Sequence, residues 1–140
     1  VIAVDTNVLL DVLVRGAEHE EVSRKALLAA RKAGSLVTSE IVYAEIAAQL
    51  GGEAKTIDAF YRDAGLELAP STRDVLAHAG AAWRAYRQRG GKRTRMAADF
   101  LIGAHALANG GALLTRDVDF YRTNFAKLRV IDPSEGCDII

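Results

Sequence analysis

The fold this sequence predicts is an α/β sandwich around a mostly parallel, five-stranded sheet, and three observations predict it. Short apolar runs alternate with stretches of helical periodicity, and glycines follow the helical stretches as stops. With 140 residues, half of them hydrophobic, the chain suits one compact domain over residues 1–140 with a sizeable core.

The five strand candidates are "VIAV" at Val1 to Val4, "SLVT" at Ser35 to Thr38, "LELA" at Leu66 to Ala69, "ALL" at Ala112 to Leu114 and "LRVI" at Leu128 to Ile131. The last of these stops before Pro133. Helices are expected over Ala17 to Ala33, Ser39 to Leu50, Ala54 to Ala64, Ser71 to Arg89 and Met96 to Asn109. Gly34, Gly51-Gly52, Gly65, Gly90-Gly91 and Gly110-Gly111 close them. No internal repeat, low-complexity tract or interdomain linker interrupts the series.

Eighteen basic and eighteen acidic side chains cancel, so net charge points to neither a nucleic acid nor a membrane surface, and local clustering has to be read instead. The one cysteine, Cys137, rules out an internal disulfide and a cysteine-based zinc site, and the simplest inference is a cytosolic protein. No apolar run is long enough to span a bilayer. The N-terminus lacks the basic region and cleavage pattern of a signal peptide, so "VIAV" reads as a strand; the first residue is not Met.

Four carboxylates interrupt otherwise apolar sequence. Asp5 follows the first strand, and Asp117 follows the fourth within "GALLTRDVDFY". Glu45 is the only charge between Ile41 and Leu50, and on a helix it projects at the core's edge. Asp99 is the only acid in "MAADFLIGAHALA", a segment apolar almost all round, as buried helices are. Its neighbours on the same side, Gly103 and Ala106, are small, which leaves room for an ion or another chain segment. Each acid alone has an ordinary structural explanation as a turn, a cap or a solvated position. Together they gain a second one, because the carboxyl ends of parallel strands are where α/β sheets bind ligands.

Four converging carboxylates repel one another unless a cation neutralises them. An oxygen-only set suits Mg²⁺ or Mn²⁺ better than zinc or copper, and the reaction that such a site supports is phosphodiester hydrolysis by an activated water.

In their order and spacing, "VIAVDTNVLLDVL", "SEIVYAEI" and "AADFLIGAHALANGGALLTRDVDF" resemble a PIN-domain ribonuclease, and the forms "DTNVLLDVL" and "TRDVDF" resemble the VapC-type toxins of bacterial toxin-antitoxin modules. The resemblance covers essentially the whole chain. It implies a PIN-like sandwich whose acidic quartet falls on Asp5, Glu45, Asp99 and Asp117, with Mg²⁺ or Mn²⁺ as cofactor. Thr6, Asn7 and Thr115 match positions that support the quartet by hydrogen bonding, and Asp119 matches a position that is often acidic and is a fifth candidate metal ligand. The implied activity is endonucleolytic cleavage of RNA, leaving a 5′-phosphate and a 3′-hydroxyl. The implied partners are a second copy of the chain and a VapB-type antitoxin whose C-terminal tail occupies the acidic groove.

From Arg84 to Arg95 the sequence "RAYRQRGGKRTR" carries six basic side chains and no acid, and it leads into the segment bearing Asp99. Arg93 and Arg95, with Arg116 beside Asp117, are the candidates to grip a phosphate backbone. A solvated helix end explains the same run, and Trp83 and Tyr86 fit packing better than base stacking. His105 reads as a satisfied core residue, His19 as solvated and His78 as structural.

Two rivals remain at this level. A HAD-type phosphatase also begins with a strand ending in Asp, but it requires a second Asp two residues on, where this chain has Asn7. A non-catalytic PIN-like module that binds RNA or protein would keep the acids as a docking site for an arginine-bearing tail. A DNA nuclease uses the same quartet, since phosphate chemistry does not read the sugar.

Overall fold

The computed structural model describes residues 1–93, 95 and 97–135. The expectations about Cys137 and about a helix beginning at Met96 lie outside the described residues.

All five expected strands form: β1 (Ile2–Val4), β2 (Leu36–Thr38), β3 (Leu66–Leu68), β4 (Ala112–Leu114) and β5 (Arg129–Ile131). They make one sheet in the order β3-β2-β1-β4-β5, and every neighbouring pair is parallel. Registers are set by pairings such as Ile2 with Leu36 and Val4 with Leu114. β1, β2 and β4 are buried along their whole length, which is why they read as continuous apolar runs instead of alternating ones.

The helices are α1 (Thr6–Leu13), α2 (Glu20–Ala33), α3 (Glu40–Gln49), α4 (Ala54–Ala64), α5 (Arg73–Gln88), α6 (Ala97–Ala108) and α7 (Val118–Asn124). Five of them match expected stretches. α1 and α7 were not expected, because segments of eight and seven residues are too short to show a helical period. What starts α1 is Asp5, whose carboxylate accepts the Thr6 N–H at 2.7 Å. Ser39 and Thr72 cap α3 and α5 with their hydroxyls, each accepting the N–H three residues on.

The chain winds outward from β1 to β3, then returns to place β4 and β5 on the other side of β1. β1 and β4 are therefore neighbours at the point where the winding reverses, and the crevice beyond their carboxyl ends is the ligand site of such sheets. With right-handed crossovers, α1 to α4 cover one face and α5 to α7 the other.

Phe100, fully buried on α6, is the hub of the aromatic core, with Trp83, Tyr86, Phe120 and Phe125 all within 6.4 Å between ring centroids. A Cβ built on Gly103 would lie 2.4 Å from the Phe125 ring. The space beside Gly103 is thus filled by Phe125, at the C-terminal end of α7.

Candidate active site

The site grows from the carboxyl end of β1. Asp5, 6% exposed, receives the Thr6 N–H on Oδ1. Its Oδ2 accepts the Thr115 hydroxyl at 2.7 Å and the Asn7 amide at 3.4 Å. Thr115 follows β4 directly, so this bond spans 110 residues and ties the two central strands at their ends. The same hydroxyl accepts from the Asn7 amide and from the Asp117 N–H, at 3.3 and 3.0 Å. Asn7 closes the loop by accepting the Arg116 N–H on its own Oδ1.

The remaining acids come from helices. Glu45 stands on the exposed edge of α3, and its carboxylate accepts the Thr6 hydroxyl at 2.8 Å. Asp99 lies in the first turn of α6 and Asp117 precedes α7. All four carboxylate residues line one pocket of about 230 Å³, together with Thr6, Asn7, Leu10, Ala98 and Ile102. Asp117 makes no capping bond to α7; its carboxylate instead accepts both terminal nitrogens of Arg95, one of them at 3.1 Å. The Arg95 guanidinium also stands 3.8 Å from Asp99, so a cation already lies between two of the four acids.

The electrostatics follow from this crowding. Burial pushes the Asp5 carboxyl up to about 6, with Glu45 and Asp99 adding repulsion and the Thr115 and Thr6 bonds opposing. The buried Tyr121 phenol is likewise pushed up by desolvation, then by Asp5, Asp99 and Asp117, and it stays protonated.

Raising the Asp5 carboxyl from its ordinary value to about 6 corresponds to roughly 3 kcal/mol, and its sign is set by proton uptake. Between pH 4 and 6 the folded metal-free protein holds a proton on Asp5 that the unfolded chain has released, so this contribution to stability falls as pH rises through that window. Denaturation in EDTA should show wild type losing stability relative to Asp5→Asn from pH 4 to 6, by an amount on the order of 3 kcal/mol. Parallel stability curves for the two proteins would contradict the shift.

Three expectations change, one of them for Arg95, which was expected to grip phosphate and holds Asp117. Asp119 is exposed in the first turn of α7 and does not line the pocket; the helix that starts directly after Asp117 carries it away, which a strand-and-loop reading of "TRDVDF" does not show. Arg116, expected to grip phosphate, forms a two-pronged pair with Asp11 at 2.7 and 3.0 Å. Asp11 is 6% exposed on α1 and also accepts the Ser23 hydroxyl. Sequence reading missed Asp11, although it follows Asn7 by one helical turn. It missed the Arg95 pairing too, for which the four-residue spacing to Asp99 was the available signal.

Other positions stand as expected. His105, buried on α6, donates from Nε2 to the Ala69 carbonyl at 2.6 Å, and desolvation lowers its pKa. Trp83 and Tyr86 pack on Phe100. Arg93 borders a separate groove with Arg95.

The donor set fits a hard divalent ion by chemistry: four carboxylates around one pocket, oxygen ligands only, and a guanidinium standing in for a cation between Asp99 and Asp117. No three acids, histidines or cysteines are grouped closely enough to hold an ion among the described residues. Arg95 holds Asp117 in the present arrangement.

A family model described as PIN domain matches residues 2–126. No curated protein sequence matches the chain. Among solved structures, VapBC2 from Rickettsia felis, bound to a DNA fragment from its promoter, superposes with a TM-score of 0.71 at 20% identity, over 94% of this chain and 97% of that one. VapBC-1 from nontypeable Haemophilus influenzae gives 0.71 at 19% identity, covering 95% and 98%. Mycobacterium tuberculosis VapC20, a toxin that cleaves the sarcin-ricin loop, gives 0.63 at 21% identity, covering 92% and 99%. These likenesses establish a shared fold. None of the helices among the described residues is long and apolar enough to cross a membrane.

Proposed function

We propose that this chain, which belongs to the PIN-domain family, is a VapC-type toxin: an endoribonuclease that hydrolyses RNA phosphodiester bonds with Mg²⁺ or Mn²⁺ held by Asp5, Glu45, Asp99 and Asp117. The observation that carries this reading is the gathering of those four acids around one pocket at the reversal point of the sheet. A fold relative described as cleaving the sarcin-ricin loop supports RNA as substrate. VapBC relatives support a VapB-type antitoxin as partner. A homodimer in the cytosol belongs to the same proposal.

The chemistry that a bound divalent ion supplies in such a site is polarisation of the phosphate and a lowered pKa for the attacking water. The residues around it do the positioning. Thr115 and the Thr6 N–H fix both oxygens of Asp5, and the Thr6 hydroxyl fixes Glu45. Both threonine hydroxyls donate to carboxylates and so hold them in position, and in this reading water is the nucleophile.

Incubating the folded, antitoxin-free protein with total RNA in Mg²⁺, Mn²⁺ or EDTA tests the reading. Discrete cuts in the metal samples alone are expected. Absence of cuts in every sample would replace it with a non-catalytic binding module.

Arg95 gives a test that does not depend on turnover. Its charge competes with a divalent cation for Asp117 and Asp99. Arg95→Gln should therefore bind Mn²⁺ about tenfold more tightly, about 1.4 kcal/mol, as read from free Mn²⁺ by electron paramagnetic resonance. Equal or weaker binding by the variant would show that Arg95 does not compete.

A further inference from the structure

The described part of the basic run from Arg84 to Arg93 does not dangle from the protein. After α5 the chain turns at Gly90, whose φ of +80° suits glycine, and Gly91 donates to the Tyr86 carbonyl while the Lys92 N–H donates to the Tyr86 hydroxyl, both at 2.9 Å. A Cβ on Gly91 would lie 2.3 Å from the Tyr86 ring, which itself packs on Phe100 and Phe120. The turn is thus fastened to the aromatic core, and its cations are presented from a fixed base.

Between this turn and α5 runs a groove of about 440 Å³, within the ~300–1,000 Å³ range of small-molecule sites. Among the described residues it is lined by Trp83, Arg87, Gly91, Lys92, Arg93 and Arg95: one aromatic ring, four cations and no acid. Trp83 stacks on Phe100, and the Arg87 guanidinium lies 4.9 Å from its ring centroid. Arg95 belongs to both places, lining this groove while it pairs with Asp117 in the acid pocket. In a chain with no net charge, a cluster of four cations is therefore set against a cluster of four acids.

We propose that this groove is a subsite for one single-stranded nucleotide of the substrate, with its base against the Trp83–Arg87 pair and its phosphate held by Lys92 and Arg93. The inference rests on the RNA-cleaving reading and adds where the strand lies relative to the cut. A flat π-face and a guanidinium plane are what unpaired bases stack on, and the flanking cations neutralise the backbone. A base paired within a duplex does not reach the indole, so the subsite selects unpaired RNA beside the scissile bond. Arg95, reached from either side, links occupation of the groove to release of Asp117.

Trp83 is the only tryptophan, so its emission reports on the groove alone. The full-length protein is titrated in EDTA, where cleavage is off, with oligouridylate, with an RNA duplex of equal length and with inorganic polyphosphate. A saturable change in emission with oligouridylate and not with the other two is expected. By anisotropy of labelled oligouridylate, Trp83→Leu should bind roughly tenfold more weakly, whereas Trp83→Phe, which keeps a stacking ring, should stay within about threefold. The paired change Lys92→Gln, Arg93→Gln should lower the salt slope by about 1.4, at ~0.7 per lost phosphate contact on a single strand.

Binding of oligouridylate with unchanged emission overturns the proposal, as does an equal response to polyphosphate or equal affinity of Trp83→Leu. Metal-dependent cleavage with silent Trp83 emission would remove the subsite and leave the nuclease. The emission change without any cleavage would remove the nuclease and leave a groove for single strands.

Discussion

Replacing Asp5 or Asp99 by its amide is expected to lower RNA cleavage by more than ~100-fold while leaving the fold intact, since even a supporting hydrogen bond around a metal ligand is worth ~10–100-fold. Asn at position 5 still offers an oxygen to the Thr6 N–H, so the start of α1 survives. At position 99 the side chain is only partly buried, so the change is not a packing defect. What both variants lose is a negative charge facing the other acids. Asp119→Asn is the contrast, for its exposed carboxylate lies outside the pocket lining, and it should retain cleavage within about twofold. Gel assays in Mg²⁺ beside circular dichroism would check all three, and cleavage by Asp5→Asn at the wild-type rate would remove this pocket from the chemistry.

The largest effect on stability is expected from Phe100→Ala, at about 3–5 kcal/mol, because its fully buried ring is met by four other aromatic rings that cannot close around the cavity. At this chain length, that loss should lower the melting temperature by roughly 10 °C or more. It also reaches function, since Phe100 directly follows Asp99 on α6 and supports both Trp83 and Tyr86 beneath the basic turn. Thermal denaturation measures it. A change under about 1 kcal/mol would mean that the aromatic cluster repacks freely, which close-packed cores do not do.

The central strands β1, β2 and β4 were legible because fully buried parallel strands write themselves as short apolar runs, and the long helices because glycine ends them. α1 and α7 left no such mark. Each begins on an acid that a reader assigns either to a cap or to a site, and at Asp5 the structure uses one side chain for both, Oδ1 toward Thr6 and Oδ2 toward Thr115. Missing α7 is what kept Asp119 beside Asp117 on paper, whereas the helix turns it outward.

The quartet's positions could be read because each acid stood in apolar surroundings, which charge avoids without a reason. The fates of the arginines could not be read, since they depend on contacts far along the chain. Arg116 meets Asp11 across 105 residues and Arg95 meets Asp117 across 22. A cation in a basic run is equally suited to phosphate or to a carboxylate, and only the fold says which partner is within reach.

The chemistry of the cut ends tests the central claim most directly. Water attacking phosphorus at the four-carboxylate pocket leaves a 5′-phosphate and a 3′-hydroxyl, so fragments made in Mg²⁺ should accept ligated adaptors at both ends without enzymatic repair. Fragments ending in a 2′,3′-cyclic phosphate and a 5′-hydroxyl would mean that the RNA's own 2′-hydroxyl attacks, and would contradict the account.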